Sequence, residues 1–176
     1  MKIDLHVHTT GFSYCGKLSA TQIVDFYKQA GYDAIVITNH FNSISKQWFL
    51  EHGGTDYHKS YFDTIRQAAE FGTFARDNDI LFYQAHPFRN RMTVVPPEHL
   101  FGIEVLNTHP RHDSRNDIAL AWAEKYNLHK IAGSDCHQIQ DIGTSAIFTD
   151  YPVKNMSDLV HVLKNDLYTF SENRKI

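Results

Sequence analysis

Hydrophobic positions along the chain alternate between short runs rich in β-branched residues and longer stretches whose apolar residues recur three and four apart. This is the pattern of a parallel α/β sheet with crossover helices. Ile3 to Val7 predicts a first strand. Ser19 and Gln22 stand at capping-box spacing, Ile23, Tyr27 and Ala30 share a face, and Gly31 offers a stop, so a helix is expected over 20–30. Ala34 to Thr38 is a continuous apolar run, read as a buried second strand. Between 41 and 79 aromatics mix with polar residues and Gly53-Gly54, and the only element expected is a helix over about 59–76. Ile80 to Ala85 predicts a strand ended by His86-Pro87, followed by a loop carrying Arg89, Arg91 and Pro96-Pro97. Further strands are expected at 102–106, 130–133 and 145–149, with helices over 114–126 (Ser114 cap) and 157–165 (Ser157 cap). That makes six strands, with Leu167 to Phe170 a candidate seventh.

Composition narrows the class. The 176 residues suffice for one domain, and 42% hydrophobic with 21% charged residues is ordinary soluble usage. A net charge of −3 gives no broad basic field, so nucleic acid is expected only as a nucleotide or strand end. Two cysteines are too few for a disulfide scaffold, and the start Met1-Lys2-Ile3-Asp4 lacks the apolar run of a signal peptide. No stretch is apolar enough to span a bilayer, so a soluble cytoplasmic protein is expected. The twelve histidines are the departure from average, and they are scattered rather than gathered in a tag.

Several of them fall into one pattern. His6 and His8 sit two apart on the first strand, so they face the same way, about 7 Å from each other. The second strand ends in Thr38-Asn39-His40, the third in Ala85-His86-Pro87 and the fifth in Gly133-Ser134-Asp135-Cys136-His137. Histidine or aspartate thus stands at the C-terminal end of four strands, the edge where a parallel α/β sheet or barrel builds its active site. Imidazole and carboxylate are the donors that Zn²⁺, Mn²⁺ and Fe²⁺ accept.

The set Asp4-Leu5-His6-Val7-His8-Thr9, Ile37-Thr38-Asn39-His40, His86-Pro87 and Gly133-Ser134-Asp135-Cys136-His137 resembles the PHP (polymerase and histidinol phosphatase) domain, whose motifs occur in this order. The resemblance implies a distorted seven-stranded (β/α) barrel, one to three divalent ions (Zn, Mn or Fe) at its strand ends, and hydrolysis of phosphoesters by a metal-activated water. Carried over by position, His6, His8 and Asp135 would ligate one ion, His40 and His137 another, and His86 would belong to a third site.

The departures from the family pattern are informative. Where the family has a further Asp or His ligand, this chain reads Ser13-Tyr14-Cys15-Gly16, leaving Cys15 open as a soft ligand or an inert thiol. The family's bridging glutamate between its second and third motifs has no counterpart. Only 45 residues separate His40 from His86, and Glu51 and Glu70 end no strand-like run. Glu104, in Gly102-Ile103-Glu104-Val105, lies beyond the His-Pro motif and is open as either a support for the ligands or a plain structural residue. The expected architecture is therefore one α/β domain over 1–176, an incomplete (β/α)7-type barrel of six or seven mostly parallel strands, shortened between 41 and 80.

Arg89 and Arg91 follow His86 closely and are the candidates for holding a substrate phosphate. His109 and His112 are candidates to protonate a leaving group. The reading that results is a metal-dependent phosphoesterase acting on a small phosphorylated metabolite or nucleotide. A metal-holding module without turnover and a metal-dependent amidohydrolase stand as alternatives.

Overall fold

A computed structural model describes residues 1–11, 13, 15–39 and 61–170, with 61–67 as backbone only. Two three-stranded sheets form its centre. In the first, β1 (Lys2–Val7) lies between β2 (Ala34–Ile37), parallel to it, and β6 (Ile147–Phe148), antiparallel. In the second, β3 (Tyr83–Gln84), β4 (Gly102–Asn107) and β5 (His129–Gly133) run parallel. Four α-helices accompany them among the described residues: α1 (Ala20–Gln29), α2 (Tyr61–Asp77), α3 (Asn116–Tyr126) and α4 (Met156–Lys164).

The alternation along β1 decides where things go. Ile3 and Leu5 join Ala132, Ile147, Leu159 and Leu163 in one apolar cluster, and Val7 joins Ile23 and Tyr27 of α1 in another. Asp4 and His6 take the intervening positions, and with His8 just beyond the strand they are buried too. α1 forms as its sequence dictates: the Ser19 hydroxyl accepts from Gln22 N, Gln22 Oε1 accepts from Ser19 N, and Gly31 takes the left-handed stop at φ +74°.

The two sheets meet along one seam. Val7 bridges Cys136, with His8 N donating to Cys136 O (2.8 Å) and Cys136 N to His6 O (3.2 Å). The C-terminal ends of β1 and β5 meet at this seam.

The expected (β/α)7-type barrel is not there. The sheets, one mixed and one parallel, do not close, because the outer edges of β2 and β3 find no ladder partner among the described residues. β3 keeps only Tyr83–Gln84 of the predicted 80–85 run. The cause is local: Asp79 turns left-handed at φ +56° and Ile80 N still donates to Ala75 O, so these residues finish α2 instead of starting a strand. Between the open edges lies a mostly apolar cavity of about 540 Å³, lined by Leu5, Val36, Ile80, Phe82, Ile131 and Leu163 among others.

Other elements shift by a residue or two. α3 starts at Asn116 after a left-handed Arg115 (φ +50°), and Ser114 caps nothing. α4 is capped by Asn155, whose side chain accepts from Asp158 N, and not by Ser157. The candidate seventh strand is reduced to an isolated bridge between Phe148 and Thr169. No helix among the described residues is long and apolar enough to cross a membrane.

Candidate metal centre

His6 in β1, His8 just past it, and Asp135 and His137 just past β5 carry the centre. His6 Nε2 and His8 Nε2 lie 3.1 Å apart, and Asp135 Oδ1 stands 3.3 Å from the first and 3.1 Å from the second. Tetrahedral zinc with bonds of about 2.0–2.1 Å has ligand-to-ligand edges of about 3.3 Å, so this triangle has the right size for one face. All three residues are buried.

Each donor is held from behind. Glu104, 1% exposed, accepts from His6 Nδ1 on Oε1 (2.9 Å) and from His86 N and Asn107 Nδ2 on Oε2 (both 2.9 Å). The Nδ1 hydrogen is thereby committed and Nε2 is turned to the centre, the arrangement by which carboxylates orient metal-binding histidines. Burial alone would push the His6 imidazole down, but the Glu104, Asp135 and Asp4 carboxylates outweigh it and raise the group to about 8.

Asp135 sits in the left-handed region (φ +55°), with Arg89 Nη2 2.8 Å from its Oδ2. Burial opposes its ionisation, yet the His8 hydrogen bond, His6 and Arg89 hold its carboxyl far below the ordinary range. The same Arg89 nitrogen lies 2.9 Å from Asn107 Oδ1 and from Ser114 Oγ, which is where the expected helix cap has gone.

Asp4 stitches β1 to the turn that carries Asp135. Its Oδ1 accepts from His6 N (3.0 Å) and Ser134 N (3.1 Å), and its Oδ2 accepts from Tyr27 OH (2.8 Å). Burial raises its carboxyl. An acid at an inward position of β1, between Ile3 and Leu5, was the available signal for this role. Gly133 is needed for the same seam, since a Cβ there would meet His6 Cβ at 2.3 Å and Glu104 Oε1 at 2.9 Å. Gly133→Ala is expected to lower stability by about 1–3 kcal/mol through overpacking, read as a fall in Tm, and an unchanged Tm would show that the seam can widen freely.

On the far side, His137 Nδ1 donates to Asp135 O (2.6 Å), and its ring stacks on His8 with centroids 4.3 Å apart. Its backbone N–H donates to Asp141 Oδ2 (3.0 Å), and Asp141 is gripped by both Arg111 guanidinium ends at 2.8 and 2.7 Å. Burial works against the Asp141 charge, but Arg111 and the backbone N–H groups of His137 and Gln138 keep its carboxyl low. Burial, with His8 nearby, lowers His137. No sequence signal marked Asp141.

His109 is buried, and burial together with Arg111, His137 and His112 lowers it to about 4, so near neutrality it is a neutral imidazole, its Nδ1 accepting from Arg111 N (3.2 Å). His86 stacks on His6 and stands 3.9 Å from Asp135 Oδ2, and burial followed by Arg89 lowers it to about 4 as well. Arg91 and His112 are exposed, the latter tilted against His109. His40 lies outside the described residues, as does Glu51.

The donor chemistry fits a divalent ion. Among the described residues three groups of ligand atoms lie within 4.8 Å of one another: His6, His8 and Asp135; His109, Asp135 and His137; and His8, Cys15 and His137. They interlock through Asp135, His8 and His137. His86 and Glu104 belong to none of them.

A family model described as PHP-associated matches residues 113–166, consistent with the family that the motifs resemble. The matched stretch holds α3, β5, the Asp135–His137 motif, Asp141 and all of α4, but not the His6 and His8 strand. No curated protein matches the chain.

Proposed function

We propose that the protein is a metal-dependent phosphoesterase acting on a small phosphorylated metabolite or a nucleotide end. The observation that carries this reading is the convergence of five buried donors, His6, His8, His109, Asp135 and His137, onto interlocking groups with Arg89 alongside. Bound there, Zn²⁺, Mn²⁺ or Fe²⁺ would supply a water activated near neutral pH and a positive charge for the phosphoryl oxygens.

The chain's own residues set the stage for that chemistry. Glu104 fixes the His6 ring, Arg89 fixes Asp135, and Asp141 with the Asp135 carbonyl fixes His137. Arg89 places a cation beside the centre that favours an anionic substrate, although its Nη2 is already engaged by Asp135, Asn107 and Ser114. Exposed Arg91 is the freer of the two arginines to follow a phosphate. No side-chain nucleophile is required: Ser134 Oγ is engaged by Tyr27 OH, the His6 carbonyl and the Asp4 carboxylate that ties β1 to the turn.

A second reading has its own observation. No glutamate enters the metal groups among the described residues, since Glu104 is spent on His6, His86 and Asn107. A chain lacking the family's bridging carboxylate would hold metal without turnover.

The test is reconstitution of chelator-stripped protein with Zn²⁺, Mn²⁺ or Fe²⁺, followed by assay on p-nitrophenyl phosphate, sugar phosphates and nucleotides. Metal-dependent turnover reversed by chelator is the expected result. Bound metal without turnover of any phosphoester would favour the module, and absence of metal binding would overturn both readings.

A further inference from the structure

Cys15 is exposed, yet its position is tightly built. Asn39 ties down the loop that carries it: its Oδ1 accepts from Thr9 N (2.8 Å) and Ser13 Oγ (3.0 Å), and its Nδ2 donates to Thr9 Oγ1 (2.8 Å). Ser13 N donates to Thr9 O, Gly16 N to Ser13 O and Thr10 N to Leu18 O, which tie Ser13, Gly16 and Leu18 back to Thr9 and Thr10. Gly16 packs so closely that a Cβ would meet Thr9 C at 2.6 Å. Lys17 N then donates to His137 O (2.7 Å), fastening the residue two beyond Cys15 to a donor of the centre. The loop therefore delivers the sulfur to two buried imidazoles, with ligand atoms of Cys15, His8 and His137 within 4.8 Å of one another.

We propose that Cys15, with His8 and His137, forms a thiolate seat for a thiophilic divalent ion, distinct from the His6–His8–Asp135 seat. A neutral imidazole has one lone pair to give, so His8 serves one seat at a time. The chain sorts ions by softness: Zn²⁺ or Co²⁺ goes to the sulfur seat, and Mn²⁺, which prefers oxygen, goes to the seat with Asp135. Cys136, fully buried against Ile23 and Tyr27, is a core thiol and takes no part.

This inference rests on the metal-binding reading of the same cluster, and Co²⁺ separates the two. Added to stripped full-length protein, Co²⁺ is expected to give both ligand-field bands and a near-ultraviolet sulfur-to-cobalt charge-transfer band. Cys15→Ser should lose the charge-transfer band and keep ligand-field bands as the ion moves to His6–His8–Asp135, while Cys136→Ala keeps both. Mn²⁺ affinity should be the same in Cys15→Ser as in the parent, with Zn²⁺ affinity reduced at least tenfold. Ligand-field bands without charge transfer in the parent protein, or a charge-transfer band that survives Cys15→Ser, would overturn the thiolate seat while leaving the metal-dependent reading standing. No spectroscopic or calorimetric sign of any bound ion would overturn both.

Discussion

Asp135→Ala is expected to abolish Mn²⁺ binding and to lower the stability of the metal-free protein by about 3–5 kcal/mol, the usual loss when one member of a buried ion pair is removed. Asp135 belongs to two of the three donor groups and is 1% exposed, and its partner Arg89 is 14% exposed, so little water reaches the guanidinium once the carboxylate has gone. Asp135→Asn separates the two effects. The amide oxygen can still accept from Arg89, which preserves most of the stability, but a neutral amide is a far poorer ligand, so Mn²⁺ binding is lost all the same. Calorimetric titration with Mn²⁺ and denaturant unfolding of both variants check this. Full Mn²⁺ occupancy in either would remove Asp135 from the ligand set.

Metal-free and Mn²⁺-loaded protein are expected to respond to pH with opposite slopes between about 7 and 8. His6 is raised from 6.5 to about 8 in the folded metal-free chain, so over that window the native state holds a proton that the unfolded state has released. Stability from the His6 contacts is complete below about 6.5 and is lost as pH rises through about 8, an effect of up to roughly 2 kcal/mol. His86 and His109, both lowered to about 4, and His137, also lowered, are largely neutral in folded and unfolded chains above about 7 and oppose this slope only slightly there. Below it they act the other way, because only the unfolded chain protonates them. A bound ion reverses the sign, since it needs His6 Nε2 deprotonated, and its affinity rises up to tenfold per unit as pH climbs toward 8. Tm measured across this range with chelator and with Mn²⁺ should diverge. Parallel slopes would mean that His6 is not a ligand. Glu104→Gln should flatten the metal-free slope.

Local chemistry was legible in the sequence wherever a few adjacent residues decide the outcome. The Ser19 and Gln22 box, the Gly31 stop, the inward pair His6 and His8, and the Asp135–His137 turn all follow from spacing alone. What depends on distant partners was not legible. Glu104 stood out as an acid in an apolar strand, but its partner His6 lies 98 residues away. Arg89 reads as a phosphate ligand until the fold supplies Asp135, Asn107 and Ser114 as acceptors. Ser114 has the chemistry of a cap, but the site claims its hydroxyl first. Barrel closure failed as an expectation because closure is a property of strand edges meeting, and no periodicity within β2 or β3 encodes whether their outer edges find a partner.

The seam between the sheets gives the centre a mechanical meaning. Two of its donors, His6 and His8, belong to the β1 side, and two, Asp135 and His137, to the β5 side, with the backbone bridge between Val7 and Cys136 running between them. An ion shared across that line is a rivet between the two halves of the molecule. Linkage then makes affinity and rigidity two faces of one quantity: whatever holds the halves in register tightens the grip on the ion, and the ion returns the same free energy to the register.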